Sequence, residues 1–224
     1  MSVQAGMTDA ELTVVLDIRY PQAFLALQPA MNFSKEHGVL VDWLPHSVSS
    51  LKAPEQPGVE EDRGVRHRRF RAEQIAREIE VYAEAQGLVL RDLYRAWDSS
   101  AFELGWLWMR HHHRQQLEDF LCEAFRAYWA IEFDPTNASE VAILIDSLVV
   151  VGGDRAGGRL GGELFRAWAQ SEGVAVLEGL AEALRAEGVF GVPSYLVEGE
   201  VFLGRQHLPM IEWILSGRRG RVPI

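Results

Sequence analysis

Gly188-Val-Phe-Gly-Val-Pro-Ser-Tyr-Leu-Val-Glu-Gly-Glu-Val-Phe-Leu-Gly204 is the stretch on which the fold turns. It reads as a turn, a strand opened by Pro193, a two-residue turn and a second short strand. Only X–Pro bonds adopt the cis form at small cost, so Val192–Pro193 is a candidate cis peptide. A chain bent there leaves the Val192 amide and carbonyl outside any ladder, free to bond an extended ligand. An apolar helix over Leu208 to Leu215 is expected to follow.

Working outward, Leu12-Thr-Val-Val-Leu-Asp-Ile18 is β-branched and apolar, the composition of a buried strand. Pro21 suits the first position of a helix running to about His37, with Gly38 as its cap and Pro29 expected to kink it. Val39 to Leu44 is a second strand, so the N-terminal part reads as a βαβ unit. Pro45 to Gly64 reads as a loop. From Val65 to about Ala186 the periodicity is helical. Phe70, Ile75, Ile79, Tyr82 and Ala83 mark the first of these helices, and Asp98-Ser-Ser is positioned to cap the next. Gly152 to Gly162 reads as a glycine-rich break, with a mobile loop over a cleft expected there.

Taken whole, the Gly188–Gly204 string followed by a helix resembles the C-terminal signature of the DsbA-like branch of thioredoxin-fold proteins. It is most similar to the group of 2-hydroxychromene-2-carboxylate isomerase and kappa-class glutathione transferase. The resemblance implies an α/β, thioredoxin-like fold with an all-helical domain inserted between its βαβ and ββα halves. Residues 10–60 and 186–220 would then form a discontinuous thioredoxin-like domain and 61–185 the insertion.

In such a fold the reactive group follows the first strand, at the next helix N-terminus, where free amides and the helix dipole favour an anion. The resemblance implies Cys-x-x-Cys there in the oxidoreductases and Ser before Pro in the isomerase group. This chain reads Asp17-Ile-Arg-Tyr-Pro-Gln-Ala-Phe-Leu-Ala26, with Tyr20 at the reactive position and Ala23 at that of the second cysteine. Thiol–disulfide exchange needs an attacking thiolate, and neither position supplies one. The single cysteine, Cys122, sits in an apolar stripe of the helical part, so dithiol oxidoreductase activity is not expected.

Tyr20 has two readings. As the catalytic residue, its phenol would donate a hydrogen bond to a bound glutathione thiolate; otherwise it is an aromatic filling a vacated site. The resemblance also implies Gly-x-Asp before the last helix, the acid pairing with the γ-glutamyl ammonium group. Gly204-Arg205-Gln206 stands there instead. Gln206 can still accept a hydrogen bond, and Arg205 either holds a carboxylate or is a solvated cation. The expected binding set is Pro21, Val192, Pro193, Arg205 and Gln206. The expected activity is that of a glutathione-dependent isomerase or transferase relative acting on a small aromatic or electrophilic molecule. The alternative is a non-catalytic thioredoxin-fold binding protein. A homodimer is implied by the resemblance.

Composition excludes other classes. A formal net charge of -10 argues against neutralising phosphates or adhering to an anionic membrane, so neither a nucleic acid nor a membrane is expected as partner. No apolar run approaches the roughly 20 residues of a spanning helix. One cysteine and an N-terminus without signal-peptide character fit a cytoplasmic protein. Arg63, Arg66, Arg68, Arg69 and Arg71, with His67, are either an anion funnel at the cleft or a surface paired with acidic neighbours. His111-His-His113 lacks the i,i+4 spacing of helical metal ligands, and no metal site is expected.

Overall fold

Leu12–Leu16 forms β1, and all five of its side chains are buried. Strand side chains alternate between faces, so both faces of β1 are covered. The structure, a computed structural model, describes residues 10–56, 62–149 and 158–223, without the side chains of 158–160. Helix α1 follows at Pro21–His37. Pro21 occupies its first turn, and Gly38 closes it with a left-handed φ of 66°. Strand β2, Val41–Pro45, lies parallel to β1 with Leu12 opposite Val41 and Leu16 opposite Pro45.

The helical insertion comprises α2 (Arg63–Gln86), α3 (Ser100–His112), α4 (Leu117–Trp129), α5 (Ala138–Leu148), α6 (Gly158–Trp168) and α7 (Val174–Ala186). The chain returns through β3 (Ser194–Val197) and β4 (Glu200–Leu203) to α8 (Leu208–Leu215). Strand order is β2-β1-β3-β4, with β3 antiparallel to both its neighbours. The β3–β4 turn is Glu198-Gly199, with φ of 48° and 80°. Two positive φ values in a two-residue loop match the twist of the flanking strands. This is the thioredoxin-like α/β architecture split by a helical insertion.

Aromatic packing joins the two parts. Phe102 of α3 stacks on Phe120 of α4 with ring centroids 5.4 Å apart, and Phe24 of α1 meets Phe125 of α4 at 5.9 Å. The Trp106 indole N–H donates to the Trp43 carbonyl of β2 at 3.0 Å. A smaller apolar cluster of Leu25, Ile79 and Ala83 fastens α2 to α1.

Helix α1 runs through Pro29 to His37, the extent the sequence leads one to expect. Proline at that position removes the N–H that would bond the Leu25 carbonyl four residues earlier. The Gln86 side-chain amide, at the end of α2, donates to that carbonyl at 3.2 Å. Ser99 is the N-cap residue of α3 but makes no capping bond; its hydroxyl donates to Glu103, and Asp98 accepts from the Ser100 N–H. Of the glycine-rich stretch, Gly158, Gly161 and Gly162 belong to α6, and residues 150–157 lie outside the described residues. A Cβ on Gly162 would meet an Asp146 carboxylate oxygen at 2.7 Å and the Ala142 carbonyl at 2.9 Å. Here glycine serves the close approach of α6 to α5.

Candidate functional site

The loop from β1 to α1 is fixed by a buried carboxylate. Asp17 is almost fully enclosed and accepts from the Arg19 guanidinium through both oxygens, at 3.0 and 2.8 Å. It also accepts the Arg19 and Val48 backbone N–H groups, each at 2.9 Å. Arg19 in turn donates to the Val48 carbonyl at 2.9 Å and the Trp97 carbonyl at 3.3 Å. Behind this pair lies Glu103, which accepts from the Ser47 and Ser99 hydroxyls at 2.5 and 2.9 Å. Burial pushes the Glu103 carboxyl above its usual range, and the nearby Asp17 charge pushes it the same way.

Tyr20 emerges from this fixed loop as the N-cap residue of α1, with extended backbone and no side-chain capping bond. Its ring is half-buried. Burial, and then the Asp17 charge, raise the phenol above its ordinary pKa. The group is therefore a neutral hydrogen-bond donor at physiological pH. Ala23, where a second cysteine would stand, is fully buried.

Tyr20 faces a cavity of about 470 Å³. The structure brings Tyr20, Val192, Pro193, Arg205 and Gln206 together on its wall. Pro21 is not among them; it is buried in the first turn of α1. The Val192–Pro193 peptide is cis. Among the described residues neither the Val192 N–H nor its carbonyl has a hydrogen-bond partner. Both face the requirement that enclosed backbone polar groups find partners.

The opposite wall comes from the insertion. Ile75, Glu78, Ile79 and Tyr82 recur at helical spacing along α2 and line the cavity. Sequence periodicity marks Ile75, Ile79 and Tyr82 as part of a core stripe and gives no role to Glu78. Tyr82 is in fact 41 % exposed, and Phe70, from the same expected stripe, 54 %. The Arg205 guanidinium lies 3.7 Å from the Tyr82 ring centroid, a cation–π contact across the cleft. Gln22, Phe190 and Leu203 are also among the residues of the wall. Phe190, 81 % exposed, belongs to the Gly-Val-Phe-Gly-Val-Pro string, which is the one signal that could have flagged it.

Other candidates fall away from the cavity. Cys122 is half-buried on α4 with its sulfur 3.5 Å from that of Met31, and burial beside Asp119 and Glu118 raises its thiol pKa. None of the arginines from Arg63 to Arg71 lines the cavity. Arg68 pairs with Glu55 at 3.3 Å and Arg69 with Glu73 at 3.0 Å, the surface-pairing alternative. Among the described residues no group of His, Cys, Asp and Glu is arranged to hold a metal ion, and no helix is long and apolar enough to cross a membrane.

No family model matches the chain, and no curated protein matches it. Solved structures do. The selenomethionine form of 2-hydroxychromene-2-carboxylate isomerase is 18% identical, covers 92% of this chain and 95% of its own, and superposes with a TM-score of 0.62. A candidate protein disulfide isomerase from Nitrosomonas europaea is 13% identical over 93% of this chain and 98% of its own, with a TM-score of 0.64. The cytosolic disulfide reductase DsbM from Pseudomonas aeruginosa, solved with GSH, is 16% identical over 92% and 98%, with a TM-score of 0.57. At these identities the likeness is one of fold, the DsbA-like thioredoxin fold over nearly the whole chain.

Proposed function

We propose that this chain, built on the DsbA-like thioredoxin fold, is a glutathione-dependent isomerase or transferase-like protein acting on a small aromatic or electrophilic molecule. The observation that carries the reading is one cavity shared by a protonated phenol, Tyr20, and an unbonded backbone edge, Val192. The cavity's size, toward the lower end of the range for small-molecule clefts, is on the scale of a tripeptide. An extended peptide would pair with the Val192 N–H and carbonyl as a strand pairs with a sheet edge. Glutathione, when bound, supplies a thiol able to act as a transient nucleophile.

The chain's own residues do the rest. Tyr20 donates a hydrogen bond toward the sulfur and favours its charged form. Asp17, Arg19 and the Val48 backbone hold the loop that aims the phenol. Ile75, Ile79 and Leu203 offer apolar wall to a planar substrate. With no thiol at position 20 or 23, the chain itself supplies no dithiol for exchange. That DsbM was solved with GSH lends support to glutathione as the ligand class. The same reading takes the protein to be cytoplasmic and homodimeric, the latter to be checked by its mass in solution.

The test is calorimetric titration of reduced glutathione into the wild type and Tyr20→Phe. The expected result is saturable binding, a depressed thiol pKa and turnover of an electrophile that falls at least about tenfold in Tyr20→Phe. Binding with no change in thiol pKa or turnover on Tyr20→Phe overturns the catalytic role. One observation favours a second reading: the Tyr20 phenol has no hydrogen-bond partner among the described residues, hence no base to activate it. Under that reading the protein binds in the cleft without chemistry, and no electrophile is turned over.

A further inference from the structure

The sheet has two edges, and the insertion covers one of them. At β2 all five side chains are buried, and outward carbonyls are already taken. Trp106 donates to the Trp43 carbonyl at 3.0 Å and Arg114 to the Val41 carbonyl at 3.4 Å. At β4 the hairpin register decides which backbone groups face outward. Val197 lies opposite Glu200 and Tyr195 opposite Phe202, and the Gly204 N–H donates to the Pro193 carbonyl at 2.8 Å. The pair flanking a two-residue turn exchanges both hydrogen bonds, and bonded pairs then alternate with unbonded ones. Glu200 and Phe202 therefore bond β3, while the peptide groups of Val201 and Leu203 point away from the sheet. The Leu203 carbonyl takes the Gln206 amide at 3.0 Å. The Val201 N–H, the Val201 carbonyl and the Leu203 N–H have no partner among the described residues.

Exposure agrees with this geometry. Leu203 is 56 % and Val201 36 % exposed, and Glu200 lies open beside them. An open edge is a template for another strand, and proteins blunt it with lysine, proline or a bulge. Glu200-Val-Phe-Leu203 carries neither lysine nor proline, and its register with β3 is unbroken. What it does carry is a charge at each end. Glu200 stands at the turn end and Arg205 just past the other, and neither has an ion-pair partner among the described residues. A strand of the same pattern laid antiparallel meets the opposite sign at both ends, and a parallel one meets its own sign. The edge is thus complementary to itself, the condition for a two-fold contact.

We infer that the outer edge of β4 is the docking surface for a second copy of this chain, β4 against β4, antiparallel about a two-fold axis at Phe202. In that register Val201 of each copy exchanges hydrogen bonds with Leu203 of the other, and the Leu203 carbonyl uses its second lone pair. Glu200 of each copy faces the Gly204–Arg205 end of the other, and the two four-stranded sheets run on as one. This gives a surface to the homodimer of the reading above and rests on that part of it alone. Leu203 and Arg205 also line the cavity, so the paired edge and the cleft share a wall.

The experiment is sedimentation velocity of the wild type and its edge variants, with far-UV circular dichroism to show that each is folded. The wild type is expected to be a dimer at micromolar concentration. Val201→Pro removes an outward N–H that the β3 ladder does not use, and should raise the dimer dissociation constant at least about tenfold. Glu200→Arg sets like charges together at both ends and should weaken the dimer about tenfold, and adding Arg205→Glu to it should restore the dimer. A monomeric wild type overturns the inference and the homodimer together and leaves the glutathione reading standing. A dimer that Val201→Pro and Glu200→Arg leave intact overturns the β4 edge and keeps the homodimer. Should Val201→Pro fail to fold, the charge pair decides: a dimer lost in Glu200→Arg and not recovered in the double variant overturns the inference.

Discussion

Behind Tyr20 and in front of it, the polar groups are organised in opposite ways. Behind, the Asp17 carboxylate has four donors, the Arg19 guanidinium has four acceptor atoms on three residues, and Glu103 has two hydroxyls. In front, Glu78, Arg205 and the Val192 peptide groups keep free valences toward a cavity. Enclosed groups with complete partners hold a shape. Groups left open at a concave wall are positioned for something that arrives. The difference separates polar residues that build the loop from those that can recognise a ligand.

The largest effect should come from breaking the closed side. Asp17→Asn leaves a mostly buried Arg19 cation facing a neutral amide, so unfolding free energy should drop by about 3 kcal/mol, read by urea denaturation. A loss below about 1 kcal/mol would mean that the ion pair behaves as a surface pair and the contrast is misdrawn. On the open side the order reverses. Tyr82→Ala should weaken glutathione binding by about 1 kcal/mol through loss of the Arg205 stack, yet move stability by less than about 0.5 kcal/mol. A large stability loss there would make Tyr82 a core residue after all.

Acidity sharpens the comparison further. The Glu103 carboxyl titrates above its ordinary value in the folded state, so the native protein binds that proton more tightly than the unfolded chain. Its contribution to stability is greatest below the ordinary value of 4.5 and declines as pH rises through the folded pKa. Glu103→Gln should therefore cost most near pH 4 and least at pH 7, by denaturation across that range. A cost independent of pH would remove the titrating role. The smallest effect is expected at Cys122→Ser, which should leave glutathione binding and turnover unchanged because its sulfur is packed on Met31, off the cavity wall. Lost turnover would bring the rejected thiol chemistry back.

The closed, local features were the legible ones. Gly38, Pro21, the two-residue hairpin and the limits Leu208–Leu215 follow from short-range steric rules, and the structure has each of them. The cavity wall at Tyr20 and along the Val192–Pro193 string was legible because turn chemistry pins it. Glu78 and Tyr82 were not. A 3.6-residue stripe says that one face of α2 is apolar, and Ile79 and Ala83 are indeed buried, but it does not say where along that face the core gives way to a cleft. Gly158 to Gly162 misled for a related reason: glycine density suggests a loop, whereas the cause is how closely α5 approaches α6.

The bond from Gln86 to the Leu25 carbonyl sets a gauge for the whole cleft. Pro29 deletes one proton from α1, and the resulting vacancy is addressed to a single side chain on another helix. Glu78, Tyr82 and Gln86 are spaced by fours along α2, so the amide that fills the vacancy is in step with the two residues that face the ligand. A slip of α2 by one turn, about 5.4 Å, would strand the carbonyl and carry Tyr82 away from Arg205 at once. The missing proton thus acts as a keyway: it fixes where the insertion stops along α1, and with it the width of the opening that any ligand must fit.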